Sequence, residues 1–121
     1  MNKSVGLKGE QLAADFLTRR GFKIIERNFK YDRGEIDIIA RKGNLIVFCE
    51  VKTRRSTTYG GGESAVDFRK QQQIRKVAEG YIAERNFSAG SLGEDFDFRF
   101  DVIVVEMSSS STKIRVIENA F

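Results

Sequence analysis

Three strand-like segments follow one another in the first half of the chain with only short turns between them, and this limits the folds open to it. The segments span residues 22–29, 35–41 and 45–53 and are rich in β-branched and aromatic residues. Residues 32–34 form the first turn, and Gly43-Asn44 forms the second. Turns this short cannot carry a crossover connection, so they predict an antiparallel meander.

Helical periodicity flanks the meander on both sides. The first helix is predicted over residues 4–20, where apolar residues recur at helical spacing before Gly21. The second is predicted over residues 65–85, with Ser64 and Asp67 forming a capping box at its start. A helix of this length can return the chain to the same end of the sheet, so the strand that follows is expected to lie parallel to the third.

Two more strands complete the predicted fold. Residues 96–104 alternate strongly between aromatic or aliphatic and polar side chains, and residues 113–117 form a short last strand. The order is αβββαβ with one additional strand, which predicts an α/β fold with a mixed sheet flanked by helices. Residues 1–121 are expected to form a single domain, since 40% of them are hydrophobic and the length suits one core.

The composition excludes several classes of site. The chain has no histidine, which removes Ser-His-Asp and Cys-His catalysis and imidazole metal ligands. Its one cysteine, Cys49, can form neither an internal disulfide nor a thiolate zinc site and is expected to be a buried apolar residue. No apolar run approaches the roughly 18–20 residues of a membrane span, so a cytoplasmic protein without membrane contact is expected.

Basic residues are concentrated in three places. The net charge is only +4, from 21 Lys and Arg against 17 Asp and Glu. Clustered cations suit a polyanion such as nucleic acid, although they are also compatible with an ordinary solvated surface. The three groups are Arg19, Arg20, Lys23, Arg27, Lys30 and Arg33, then Lys52, Arg54 and Arg55, then Arg69, Lys70, Arg75 and Lys76.

The turn at Gly43-Asn44 determines which residues face one another across the second and third strands. A two-residue hairpin loop places Asp37 directly opposite Glu50, with Cβ atoms about 5 Å apart, and Lys52 on the same face as Glu50. A four-residue loop would instead pair Asp37 with Phe48. Two opposed carboxylates repel each other unless a cation lies between them.

The two carboxylates therefore predict a metal site. Oxygen ligands suit Mg²⁺ or Mn²⁺, held by Asp37, Glu50 and the Val51 carbonyl. Such a cation polarises a phosphate oxygen and lowers the pKa of bound water, while Lys52 would orient that water or stabilise charge on the phosphorane. Glu10, at the edge of the buried face of the first helix, is expected to complete the ligand shell or help hold a second metal.

At these residues the sequence resembles the PD-(D/E)xK superfamily. It is similar to archaeal Holliday junction resolvases, which share an early helical Glu, an Asp on the second strand and a Glu-x-Lys on the third. Over nearly the whole chain it also resembles the uncharacterised bacterial YraN-like family. Ile36 stands where the superfamily motif nominally has proline. The matching residues are Gly9-Glu10, Arg27-Asn28, residues 34–37, residues 48–54, Lys70-Gln71 and residues 99–102.

The resemblance implies a restriction-endonuclease-like αβββαβ core but no demonstrated reaction. The expected function is a Mg²⁺-dependent endonuclease acting on DNA, with branched DNA as one option and a homodimer as one oligomeric state. The alternatives are a non-catalytic nucleic-acid-binding module and a structural partner whose carboxylates form only ion pairs.

Residues around the predicted centre are expected to support it. Arg54 and Arg55 are predicted to contact nucleic acid from a loop over residues 54–62, the alternative being that this stretch is a plain flexible linker. Lys70 and Gln71, near the start of the second helix, are predicted to reach phosphate or the site, the alternative being that they cap the sheet edge. Asp101 is predicted to be either a strand-edge partner or a support for the site.

Overall fold

The computed structural model describes residues 3–55, 66–85 and 95–121 of the chain. The elements within these residues follow the predicted order, with two helices and five strands. They are α1 (Lys3–Arg19), β1 (Lys23–Tyr31), β2 (Gly34–Lys42), β3 (Leu45–Arg55), α2 (Phe68–Glu84), β4 (Asp97–Met107) and β5 (Thr112–Ile117).

The five strands form one mixed sheet in the order β1-β2-β3-β4-β5. The pairs β1–β2, β2–β3 and β4–β5 are antiparallel, and β3–β4 is parallel. Lys42 pairs with Leu45, so Gly43-Asn44 is the predicted two-residue hairpin loop. The meander, the parallel fourth strand and the α/β class are all confirmed.

The helices cover opposite faces of the sheet. The core beneath α1 includes Ala13, Leu17 and Cys49, whereas the core beneath α2 includes Phe48 and Tyr81. Neighbouring side chains along β3 and along β4 point to opposite faces of the sheet, so each of these strands contributes residues to both cores. Cys49 is buried, as expected. Neither helix in the described part of the chain is long and apolar enough to cross a membrane.

Several predicted boundaries are wrong: β1 ends at Tyr31, not at residue 29, β4 ends at Met107, not at residue 104, and the limits of α2 and β3 also differ. Helix α2 begins at Phe68, not at residue 65, because the Asp67 side chain accepts a hydrogen bond of 2.8 Å from the Lys70 amide and acts as the N-cap. Ser64, the cap expected from sequence, lies outside the described residues. Strand β3 continues to Arg55, because its parallel pairing with β4 extends to Met107.

Candidate active site

The alternation of side chains along β2 reverses at Asp37. Ile36 packs in the core beneath α2 and Ile38 in the core beneath α1, although residues two apart in a regular strand share a face. The residue opposite on β1 is Asn28, which has a left-handed φ of 52°. Asn tolerates this conformation better than most residues. The side chains of both strands therefore switch between the two faces of the sheet at neighbouring positions, Asp37 on β2 and Asn28 on β1.

Asp37 also marks the place where β2 and β3 separate. Their ladder ends at the pair formed by Ile38 and Cys49, so the predicted register is confirmed up to that pair. Beyond it, Asp37 and Glu50 are next on each strand but are not a ladder pair. Instead, Oδ2 of Asp37 accepts a hydrogen bond of 2.8 Å from the Val51 amide. The Asp37 side chain thus replaces a backbone partner and is held firmly in place.

The carboxyl groups of Asp37 and Glu50 meet at this fork and share a hydrogen bond. Burial, followed by the hydrogen bond and the negative charge of Glu50, raises the pKa of Asp37 to about 8. The Val51 amide opposes this rise, and the charge of Glu10 adds to it. Below that pH, the pair therefore holds a proton at the position where a cation would relieve the repulsion of two carboxylates.

Glu50 has a cation beside it as well. Its side chain is 7% exposed, and Nζ of Lys70, in the first turn of α2, lies 3.3 Å from Oε2 of Glu50. The Asp67 cap fixes the backbone of Lys70. Lys70 therefore lies beside Glu50, and its contact with phosphate stays a prediction.

Lys52 shares a face of β3 with Glu50, as predicted from strand parity. It is half-buried and pairs with Val104 of β4 across the parallel ladder. Within the described residues its ammonium forms no ion pair. Among the described residues it thus differs from Lys70, whose charge is partly compensated by Glu50.

Glu10 approaches the fork from α1. The helix lies directly on β3 at Gly9, where an added Cβ would come within 1.9 Å of Oγ1 of Thr53. Oε1 of Glu10 accepts a hydrogen bond of 3.0 Å from Nδ2 of Asn28, and its charge acts on Asp37. The structure therefore places Glu10 beside the site, held by an amide partner.

The residues predicted to contact nucleic acid differ in their surroundings. Arg54 forms an ion pair of 2.8 Å with Glu106 of β4, and Arg55 is exposed at the end of β3. Gln71 donates a hydrogen bond of 2.7 Å to the Val66 carbonyl at the start of α2. Arg55 is thus the most open of the three to a ligand, and their contact with nucleic acid stays a prediction.

The role of Asn28 was not predicted from the sequence. The structure shows that it sets the reversal opposite Asp37 and also holds Glu10. A signal was present, because Asn is depleted in strands and its occurrence within a strand segment is unusual. Asp101 has the contacts of a structural partner, since it accepts hydrogen bonds from Arg99 and from the Asn119 amide.

The donors at the fork fit a hard divalent cation. Asp37 and Glu50 offer only oxygen atoms, which suit Mg²⁺ or Mn²⁺. In the described part of the chain, no three acidic or Cys side chains are grouped closely enough to hold a metal. Two protein carboxylates are nevertheless enough for Mg²⁺, which keeps several waters and is completed by substrate phosphates. The Val51 amide is used by Asp37, and a role for the Val51 carbonyl stays a prediction.

Comparison with known sequences places this site within a bacterial family. The profile of the uncharacterised protein family UPF0102 matches residues 9–105, a range that contains Asp37, Glu50 and Lys70. A UPF0102 protein of Clostridium botulinum is 46% identical over 99% of this chain and 95% of its own length. A UPF0102 protein of Caldanaerobacter subterraneus is 47% identical over 98% of this chain and 95% of its own length. One from Alkaliphilus metalliredigens is 45% identical over the full length of both chains.

Proposed function

Since the chain belongs to the UPF0102 family, we propose that it is a metal-dependent endonuclease of the PD-(D/E)xK type that hydrolyses phosphodiester bonds of DNA. The proposal places the fold with the restriction-endonuclease-like and YraN-like proteins that the sequence resembles. It also implies a cytoplasmic location, where DNA is available to a bacterial enzyme.

The contact between Asp37 and Glu50 carries the proposal. Structural carboxylates in a sheet are normally opposed by cations, because two acids side by side cost stability. Here the two acids face each other at a strand fork, one of them with its pKa raised to about 8. Strongly perturbed carboxyl groups of this kind are concentrated at catalytic and ligand-binding sites.

The chain's own residues would divide the work at this fork. Asp37, fixed by the Val51 amide, and Glu50 would hold the cation, and Glu10 would adjust the site through its charge and through Asn28. The bound cation supplies Lewis-acid activation of a phosphate and of water. Lys52, whose ammonium has no ion pair in the described residues, would stabilise the negative charge that develops on the phosphate.

Lys70 would act as a counter-ion that exchanges partners. In the absence of metal, its ammonium compensates Glu50 at 3.3 Å. When Glu50 holds a cation, Lys70 is free to approach the substrate phosphate instead. This exchange explains how a buried Glu is tolerated before metal and substrate bind.

A panel of labelled substrates tests the proposal. Branched, flapped, single-stranded and duplex DNA would be incubated with the protein and Mg²⁺ or Mn²⁺. We expect cleavage that stops with EDTA. Asp37→Asn should lower the rate by roughly 1,000-fold or more, because the Lewis-acid contribution of the metal is worth several kcal/mol.

A second pair of measurements separates metal binding from transition-state stabilisation. Lys52→Ala should slow cleavage about 100- to 1,000-fold and leave Mn²⁺ binding by calorimetry intact, since an ammonium is not a ligand. Asp37→Asn should lose both cleavage and Mn²⁺ binding. Asp15→Asn, at an exposed carboxylate elsewhere on α1, is the matched control and should keep both. Cleavage by Asp37→Asn at the parent rate would disprove the assignment.

One observation favours a second candidate, a nucleic-acid-binding module without catalysis. Glu50 is compensated by Lys70 and Arg54 by Glu106 without any metal, and a proton on Asp37 removes the remaining repulsion between the two carboxyl groups. This alternative predicts salt-sensitive DNA binding, because clustered cations release counterions from phosphates. It also predicts no Mn²⁺ binding and no cleavage, which the two assays above would show directly.

A further inference from the structure

The outer side of α2 carries a second surface that the proposed catalytic residues do not use. Lys70 lies beside Glu50, while Phe68, Arg69 and Gln73 are exposed to solvent. The adjoining β1–β2 turn extends this surface. We name it the α2 platform and define it by Tyr31, Arg33, Phe68, Arg69, Gln73 and Lys76.

Two large apolar side chains are exposed on the α2 platform. Phe68 is 73% exposed, although it lies only two residues from Lys70, and Tyr31 is 41% exposed. The two rings lie at opposite ends of the platform, Phe68 at the start of α2 and Tyr31 against Gly80. Both are aromatic, which points to a ligand with flat groups.

The Tyr31 ring is held flat against the helix. A Cβ added to Gly80 of α2 would lie 2.6 to 2.7 Å from ring carbons on both edges of Tyr31. Such even distances mean that one ring face rests on the helix backbone, which only a glycine permits. The other face is therefore turned away from the helix, as in a stacking platform.

The charges between the two rings suit a chain of phosphates. Arg33, Arg69 and Lys76 contribute three cations. Of the acids on the same stretch, Asp32 pairs with Lys76 at 3.1 Å, the Asp67 side chain caps α2, and Glu79 is exposed. Among the described residues, neither arginine forms an ion pair. Aromatic faces interleaved with cations are the combination that binds unpaired bases and their phosphates together.

A cleft between the β1–β2 turn and α2 adds a constraint on size. It measures about 200 Å³ and is lined by Tyr31, Arg33, Gln73 and Lys76, among others. This is below the roughly 300–1,000 Å³ of pockets for whole small molecules. The cleft thus fits one flat group of a longer ligand. From Phe68 to Gly80 the helix spans roughly 18 Å, the length of about five stacked nucleotides.

We infer that the α2 platform binds a single-stranded segment of nucleic acid, with unpaired bases stacked on Tyr31 and Phe68 and phosphates beside the cations. The inference rests on the proposed function for its substrate class and deepens it. The favoured substrate has unpaired nucleotides next to the cleavage point, because the bases of an uninterrupted duplex are already stacked and cannot offer their faces to protein side chains.

Binding measured without metal tests this inference separately from cleavage. Fluorescence anisotropy in EDTA would compare the full chain with a labelled 15-nucleotide single strand, as DNA and as RNA, and with the matching duplex. We expect tighter binding of at least one single strand than of duplex. Tyr31→Ala and Phe68→Ala should each weaken it about 5- to 100-fold, as expected for the loss of one stacked base. Phe98→Ala, an exposed aromatic of β4 that is 37% exposed, is the matched control and should leave binding unchanged.

Two further variants guard against a simple loss of folding. Tyr31→Phe keeps the ring and should bind like the parent, whereas Gly80→Ala keeps Tyr31 but displaces its ring and should weaken single-strand binding. Thermal melting would verify that each variant is folded. Duplex binding as tight as single-strand binding, or parental binding by both alanine variants, would overturn the inference. Single-strand binding by a parent that cleaves nothing in Mg²⁺ would instead reject the proposed function alone.

Discussion

Asp37 and Asp101 are both aspartates of the central strands, and the sheet treats them in opposite ways. Asp101 is 2% exposed and receives two hydrogen bonds from Arg99, of 2.8 and 2.9 Å, and one from the Asn119 amide. Asp37 faces Glu50 instead and has one backbone donor.

The contrast separates structure from function. A bidentate arginine is the strongest ordinary partner for a carboxylate, and the fold supplies it at Asp101. At Asp37 the fold supplies a second acid, which costs stability unless a proton or a cation is bound. Two carboxyl groups that lower the stability of the fold in the absence of a ligand are expected at a ligand-binding site.

Asp101→Asn should have the largest effect on stability. It removes the charge that Arg99 needs, and breaking a buried ion pair costs about 3–5 kcal/mol. Because Arg99 is 25% exposed, we expect about 2–4 kcal/mol, measured by urea denaturation at pH 7. Asp37→Asn should leave the stability level or raise it, since it relieves the contact with Glu50. If both variants lost the same stability, the two aspartates would not differ as described.

The second prediction concerns pH. The pKa of Asp37 is raised from 3.8 to about 8, so between these values the folded state holds a proton that the unfolded state has released. Stability should therefore fall as pH rises from about 4 to 8, by up to about 1.4 kcal/mol per unit. Denaturation curves in EDTA across this range would show the slope.

Two variants serve as controls for the pH experiment. Asp37→Asn should flatten the slope, because the titrating group is gone. Asp101→Asn should lower the whole curve and keep the slope, because Asp37 is untouched. A slope that survives Asp37→Asn would assign the titration to another carboxyl group.

The smallest effect is expected for Glu10→Gln. Gln keeps the oxygen that accepts from Asn28, so stability should change by less than about 0.5 kcal/mol. The charge that acts on Asp37 is lost, and groups that orient metal ligands typically contribute about 10- to 100-fold. Cleavage rates at saturating Mg²⁺ measure this. A loss as large as that of Asp37→Asn would make Glu10 a direct ligand.

Much of the sheet could be predicted from sequence because its signals are local. The two-residue turn at Gly43-Asn44 determined the register as far as the pair Ile38–Cys49, and Asp37 and Glu50 are the next residues on the two strands. The length of the second helix determined that β4 is parallel to β3. Periods of two and 3.6 residues depend only on backbone geometry, so a single sequence records them.

The boundaries of α2 and β3 were missed for a different reason. Asp67 and Ser64 are both good N-caps by residue type, and the choice of Asp67 depends on where the helix docks. Arg54 and Arg55 have the polar character of a loop, yet they belong to β3 because β4 offers ladder partners as far as Met107. Tertiary pairing overrides local propensity in strands more than in helices.

The contacts at the site were settled by elements far apart in the chain. Lys70 reaches Glu50 only because α2 packs on that face of β3. Asn28 meets Glu10 only because Gly9 lets α1 lie against Thr53. Residue order therefore specified which acids lie on neighbouring strands, because turn length and strand period are local. Packing alone placed the Lys70 ammonium beside Glu50 and raised the pKa of Asp37, because the pKa of a buried carboxyl group depends on neighbours that no local sequence pattern records.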